Sequence, residues 1–257
     1  MGPSLSSVQK ALKILQTFSV DSPELNLTEI SRRLNSHKSS VFRLLSTLAA
    51  EGFVEKNPLT HKYRIGLKFI EIAHRSLQSF DWVSEASPLM ERLSREVGEI
   101  VHLSILDGAE VVYLEKRGEG QGQGLTVSTN KGGRDPAHSC AMGKVLLAGL
   151  PSGELAKLLR SAPLIKRTPN TITEIAALQR ELEKVRKKGV ATDQEESFPG
   201  IKCVAAPIQD RNGKTVAALS VTAPSQRMGQ QRMKDIRRLV IDTAHLISER
   251  IGTRSPS

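Results

Sequence analysis

Apolar side chains near the start of the chain recur at helical spacing. Val8, Leu12, Leu15 and Phe18 form one stripe with Ala11 and Ile14 beside them, which predicts a helix that Asp21-Ser-Pro breaks. A second helix is expected from about Thr28 to Leu34. Asn35-Ser36 then reads as a turn and an N-cap for a third helix, in which Val41, Leu44, Leu45 and Leu48 stand at i, i+3, i+4 and i+7. A short helix, a tight turn and a longer helix make a helix-turn-helix pattern. After Glu51-Gly52 the helical period gives way to alternation. Phe53–Lys56 and Lys62–Ile65 read as two short strands around Asn57-Pro-Leu-Thr-His61, with Pro58 in the turn. A helix-turn-helix followed directly by a basic hairpin is the winged variety.

Further on, Leu67, Ile70, Ala73 and Leu77 mark an amphipathic helix over Leu67–Phe80, suited to joining two domains. Ser87-Pro88 is expected to cap and open another helix, with Leu89, Leu93 and Val97 inward and Gly98 at its end. From residue 100 strands alternate with helices. The predicted strands are Ile100–Leu106, Val111–Lys116, Leu125–Thr129, Cys203–Gln209 and Val216–Val221; the predicted helices are Ser139–Leu150, Glu154–Leu159, Thr173–Lys188 and Gln230–Ile251. Asp210-Arg-Asn-Gly213 is a hairpin signal between the last two strands. The glycine-rich stretch Gly118–Gly124 reads as a loop, since it neither follows Gly-x-Gly-x-x-Gly nor ends in Gly-Lys-Ser/Thr.

With 257 residues, 39% hydrophobic and 25% charged, the chain can bury one large core or two ordinary ones and lies outside the disordered class. No run approaches the ~20 apolar residues of a membrane span. Met1-Gly-Pro-Ser-Leu-Ser-Ser lacks a charged region followed by an apolar one, so neither an integral membrane protein nor an exported one is expected. Cys140 and Cys203 are too few for a disulfide framework and too far apart for a CxxC motif, which makes the cytoplasm the natural compartment. The formal charge of +10 suggests a polyanionic partner. Residues 1–66 hold nine basic and five acidic residues, a net +4 at about twice the density of the rest.

That first segment has the residue types to read a duplex. A major groove about 12 Å wide admits one helix. With Val41, Leu44, Leu45 and Leu48 inward, Ser36, Ser39, Arg43 and Ser46 face outward and Lys38 and Phe42 lie on the flanks; Ser40 completes the predicted contact set. Arg43 suits guanine, the serines suit bases or phosphates, and Phe42 suits a thymine methyl. The N-terminal amides of the helix suit a phosphate. Lys56, His61 and Lys62 on the hairpin can reach the backbone or the minor groove. The plain alternative is a solvated basic face used for protein contacts.

These segments resemble a known family. Val8-Gln-Lys-Ala-Leu-Lys-Ile-Leu15, Leu27-Thr-Glu-Ile-Ser31 and Ser39-Ser-Val-Phe-Arg-Leu-Leu45 are similar to the DNA-binding domain of IclR-type transcriptional regulators. Ala137-His-Ser-Cys-Ala-Met-Gly-Lys-Val-Leu-Leu-Ala148, Asp193-Gln-Glu-Glu196 and Gly200-Ile-Lys-Cys-Val-Ala-Ala-Pro-Ile208 are similar to their effector domain. The resemblance implies an α+β protein: a winged helix-turn-helix domain over 1–66, a linker helix over 67–82, a mixed α/β, GAF- or profilin-like effector-binding domain over 83–252, and a tail over 253–257. It also implies a cytoplasmic DNA-binding repressor or activator that is not an enzyme, needs no cofactor or metal, and forms a homodimer or homotetramer. A small-molecule effector would alter its operator binding.

In the second half, Pro136-Ala-His138 leads into a helix start whose free amides make an anion site. Carried over from similar proteins, the effector lining is Val127, Ala141, Met142, Asp193, Cys203, Ser220 and Thr222, with Asp135 at an entry position. Ser220 and Thr222 alternate with Val221 and so share one strand face. Each residue has a plainer reading: Cys203 as a small buried hydrophobe, His138 as a capping neighbour, Asp193 as a turn cap, Met142 and Val127 as core. Two carboxylates, Asp135 and Asp193, on one cavity disfavour an anion unless Arg134 or the helix amides offset them. A hydroxylated organic acid or sugar acid remains compatible, with the carboxylates accepting from its hydroxyls. Two other functions stay open. An enzyme would use Cys203 or Cys140 with His138, but no third orienting group and no Ser/His/Asp, P-loop or zinc motif accompanies them. A metal sensor would use His138, Asp193 and Cys203.

Overall fold

Ile14, Ile30, Val41 and Leu45, drawn from three helices, meet Leu25, Val54 and Tyr63 in the core of the first of two units. The computed structural model describes residues 6–78, 82–118 and 129–252 and divides at Phe80/Asp81. The first unit runs α1 (Ser6–Leu15), β1 (Glu24–Leu25), α2 (Leu27–Arg33), α3 (Lys38–Ala50), β2 (Val54–Lys56), β3 (Tyr63–Ile65) and α4 (Lys68–Gln78). The helices and hairpin fall where periodicity places them, with three local differences. Helix α2 starts earlier than expected because Asn26 caps it: its Oδ1 accepts the Glu29 amide at 3.0 Å, and Glu29 Oε2 accepts the Asn26 amide at 2.7 Å. Ser36 is not the cap of α3. Its hydroxyl donates to Leu34 O, Asn35 turns the chain at φ 45°, and His37 holds the N-cap position with no side-chain capping bond. The third difference is β1, which pairs with β3 and makes the wing a three-stranded sheet, β1-β3-β2.

The second unit opens with α5 (Trp82–Val97). This helix begins five residues before Ser87, so Pro88 lies inside it and costs one backbone hydrogen bond rather than starting the first turn. The sheet contains β4 (Ile100–Asp107), β5 (Glu110–Arg117), β6 (Arg134–Pro136), β7 (Ala191–Gln194), β8 (Ile201–Gln209) and β9 (Thr215–Pro224), all antiparallel in the order β6-β5-β4-β9-β8-β7. Strands β6 and β7 were not expected. Residues 125–128 of the predicted strand lie outside the described residues, as does the predicted tail 253–257.

Between β6 and β7 come α6 (Ala141–Ala148), α7 (Ser152–Ser161) and α8 (Ile175–Lys188); α9 (Gln230–Gly252) closes the unit. Alternation along β9 sorts its side chains cleanly. Ala217, Leu219, Val221 and Ala223 join α5 and α9 in one core, while Ala218 joins α6, α7 and α8 in the other. Helices therefore cover both faces of the sheet, as the mixed α/β expectation requires. Ser220 and Thr222 are left on the α6 face.

Candidate functional site

The outward face of α3 carries Ser39, Arg43 and Ser46, all exposed, with Lys38 and Phe42 also exposed and Ser40 half-buried. Ser46 donates to Phe42 O, an internal contact that occupies its proton. Ser36 stands ahead of the helix rather than on it. On the wing, Lys56 lies over the Tyr63 ring at 5.6 Å, and His61 and Lys62 sit at the tip, where His61 takes a left-handed φ of 55°. Asn57 braces that tip by accepting the Leu59 and Thr60 amides. Among the described residues no carboxylate pairs with Lys38, Arg43, Lys56 or Lys62, whereas Arg64 pairs with Glu55 at 2.8 Å. The absent side-chain cap leaves the first amides of α3 to bind an outside acceptor.

In the second unit a cavity opens between the α6 face of the sheet and the start of α6. Ala141, Met142, Asp193, Cys203, Ser220 and Thr222 all line it. Asp135 does not: its carboxylate accepts from the Tyr113 hydroxyl at 2.9 Å and pairs with Arg167 at 3.3 Å behind the wall. Val127 lies outside the described residues. His102, Tyr113, Thr129, Cys140, Ser197, Phe198 and Ile201 are the other lining residues among the described ones. The only sequence signal for His102 was its even spacing with Ser104 on a predicted strand. The clear interior is about 20 Å³, room for one water, and the space reaches about 360 Å³ when the open mouth is counted.

Sheet register explains the assembly. Asp193 stands opposite Cys203 and Cys203 opposite Thr222, while Ser220 stands opposite His102. The α6 side is set by Gly143, where a Cβ would come within 2.0 Å of Ala137 O; the bare glycine lets the helix start press onto the preceding 3-10 turn (Ala137–Ser139). Cys140 is the N-cap, its sulfur accepting the Gly143 amide, and the Ala141 and Met142 amides have no intrahelical acceptor.

Polar groups in the wall form a connected set. His102 bridges Thr129 Oγ1 at 2.7 Å and Thr222 Oγ1 at 3.3 Å, and Thr222 contacts Cys203 Sγ at 3.3 Å. Burial, with the charge of Lys116 second, pushes His102 down to about 3, so the ring is neutral near pH 7. Burial pushes Asp193 up to about 7 although its Oδ1 accepts the Glu196 amide at 2.6 Å. The hydroxyls of Ser220 and Ser197 are buried without a hydrogen-bond partner among the described residues. Each such group costs about 1–3 kcal/mol until something fills it.

The alternative chemistries fare poorly. Burial pushes Cys140 up to about 12 and Cys203 well above the ordinary thiol range, so neither is a ready thiolate. His138 is turned away from the cavity, its Nε2–H donating to Ile165 O at 3.0 Å. Among the described residues no three His, Cys, Asp or Glu side chains are grouped to hold a metal ion.

A winged helix with free cations, carried in one chain with a cavity of unsatisfied hydroxyls, defines a ligand-responsive DNA-binding regulator. The comparisons give the particular family. Residues 7–58 match the IclR helix-turn-helix domain and residues 74–249 match the family described as bacterial transcriptional regulator IclR C-terminal. The HTH-type transcriptional regulator XynR of Escherichia coli (strain K12) is 36% identical over 250 residues, covering 97% of this chain and 98% of that protein. The crystal structure of the Thermotoga maritima IclR is similar with a TM-score of 0.80 at 32% identity, over 97% of this chain and 100% of the other. An IclR homolog from Microbacterium hydrocarbonoxydans, crystallised with 4-hydroxybenzoate, has a TM-score of 0.84 at 26% identity, over 96% of this chain and 99% of that one. The chain belongs to the IclR family of transcriptional regulators. It is a DNA-binding regulator modulated by a small metabolite, and its family is one of regulators, not enzymes.

Proposed function

We propose that residues 1–66 read a palindromic operator through α3 and the wing, that residues 67–82 link the domains, and that the cavity in residues 83–252 takes a hydroxylated organic acid or sugar acid. The contact set is Ser36, Lys38, Ser39, Ser40, Phe42 and Arg43, with Lys56, His61 and Lys62 from the wing. The effector set is Ala141, Met142, Asp193, Cys203, Ser220 and Thr222, with Val127 carried over from the family and Asp135 acting through Tyr113. The observation that carries the effector reading is the pair of buried hydroxyls on Ser220 and Ser197, without a partner among the described residues, beside the open amides of α6.

The protein works in the cytoplasm as a homodimer or dimer of dimers. In support, Val8 and Leu12 of α1 and Leu67 and Ile70 at α4 are each more than half exposed, an apolar surface of the kind that a second copy covers. No helix among the described residues is long and apolar enough to cross a membrane. The test is a thermal-shift screen of organic acids, followed by a DNA-release assay on duplexes selected from a random pool. An acid that raises the melting temperature and alters DNA affinity at least fivefold is the expected result. DNA affinity indifferent to every acid that binds would defeat the reading.

A further inference from the structure

The cavity joins two features that oppose each other electrostatically. One is a seat for an anion: the Ala141 and Met142 amides opening the eight-residue α6, with the buried hydroxyls of Ser220 and Ser197 unfilled. The other is the carboxyl of Asp193, only 1% exposed on the same wall. Among the described residues no neighbouring cation is free to neutralise it. Lys144 donates to Glu196 Oε1 at 2.6 Å and to Thr192 O, and its ammonium lies 2.5 Å from Glu196 Oε2 as an ion pair; Arg134 pairs with Asp107 and Glu110; Arg167 pairs with Asp135. No lysine or arginine lines the cavity among the described residues, and segment 119–128 contains none. A carboxylate seated here would face a second carboxylate away from water, an arrangement in which the two share one proton.

Resting on the reading of this cavity as the effector site, we propose that its ligand is a carboxylate of single negative charge that enters together with one proton, which Asp193 holds and donates to the ligand as an O–H···O bond. The proton comes from solution, and no other bond forms or breaks. A dicarboxylate or phosphate ester brings a second charge that nothing in the wall neutralises, so it is refused. The groups facing Asp193 are Cys140 at the N-cap of α6, Lys144 of α6, Glu196 of the following turn and Cys203 of β8; across the cavity stand His102 of β4 and Tyr113 of β5, with Asp135 of β6 behind it. Lys144 and Glu196 hold each other and His102 is neutral, which leaves Asp193 to take the proton.

Calorimetry on the full chain tests this, with glycolate, glycerate and gluconate as monocarboxylate probes and malate, glycerol 3-phosphate and erythritol as contrasts. Titrations at pH 8 in two buffers of unlike ionisation enthalpy should show uptake of about one proton per monocarboxylate bound, with affinity falling about tenfold from pH 8 to pH 9. Asp193→Asn should abolish the uptake and flatten the pH profile. The wild-type measurement stands by itself should that variant fold poorly. Binding without proton uptake, tighter binding of malate or glycerol 3-phosphate, or no binding by any of the three monocarboxylates would overturn the proposal. The regulatory reading fails separately: a monocarboxylate taken up with its proton but without effect on DNA affinity defeats that reading alone, while DNA release by erythritol or malate defeats this inference alone.

Discussion

Arg43 and Asp193 concentrate the chemistry of the two units in single side chains. Arg43 projects from the exposed face of α3 with no carboxylate partner among the described residues, so its guanidinium is free to make a bidentate base contact. Arg43→Ala should cost about 1–3 kcal/mol of operator binding and relax preference at one base pair, read by titrating wild-type and base-substituted duplexes. Lys62→Ala, by contrast, should weaken all duplexes alike. Asp193 makes stability depend on pH. Its folded value of about 7 lies above the ordinary 3.8, so the folded state binds the proton more tightly than the unfolded chain does. The stability from that proton is complete below about pH 4 and is lost as pH rises through 7, by at most roughly 4 kcal/mol at ~1.36 kcal/mol per pH unit. Asp193→Asn should therefore lose less stability than wild type between pH 5 and pH 8 in denaturant melts, and equal losses would show that the carboxyl does not titrate in this range.

Among the elements, α2 and α6 depend on their first turns for opposite reasons. Helix α2 is closed by the reciprocal Asn26–Glu29 capping box. Asn26→Ala should cost about 1 kcal/mol of stability, visible in chemical denaturation of the first unit's transition. In helix α6 the Cys140 cap takes only the Gly143 amide, which leaves those of Ala141 and Met142 open, and the helix position depends on Gly143 lying against Ala137. Replacing Gly143 with Ala drives a methyl into backbone, which cannot yield as a flexible side chain would. The expected result is a lower melting temperature for the second unit and loss of effector response, checked by calorimetry and the thermal-shift assay. An unchanged response would mean that the start of α6 is not the ligand's seat.

For the whole molecule, charge and exposed apolar surface set the behaviour. The free cations of the first unit should make DNA affinity fall steeply with salt, since each neutralised phosphate releases counterions. Covering Leu12 and Ile70 with a second copy gives two recognition helices per assembly, and thus two half-sites. Leu12→Glu combined with Ile70→Glu should give a smaller species in light scattering and weaken operator binding at least tenfold. A double variant that keeps both its size and its affinity would place the interface elsewhere.

Much of this architecture was legible in one dimension. Helical spacing in Val41, Leu44, Leu45 and Leu48 and alternation in Ser220, Val221 and Thr222 are local signals, because a helix or a long strand must repeat its buried face at a fixed period. They located α3, the wing hairpin, β9 and the shared face of Ser220 and Thr222. Strands β1, β6 and β7, two to four residues long, carry too few positions to show a period and exist through their pairing with β3, β5 and β8. The helix through Pro88 is likewise held by packing of Ala86, Leu89 and Met90 against a local preference to start there. The cavity was half visible. The family motifs held Ala141, Met142, Asp193 and Cys203, and Ser220 and Thr222 were carried over by position, whereas His102 and Tyr113 reach it from strands about a hundred residues away, and Asp135 is drawn behind the wall by Tyr113 and Arg167. Periodicity reports which face of an element is buried; only sheet register decides which buried side chains meet, and desolvation at that meeting point decides their protonation.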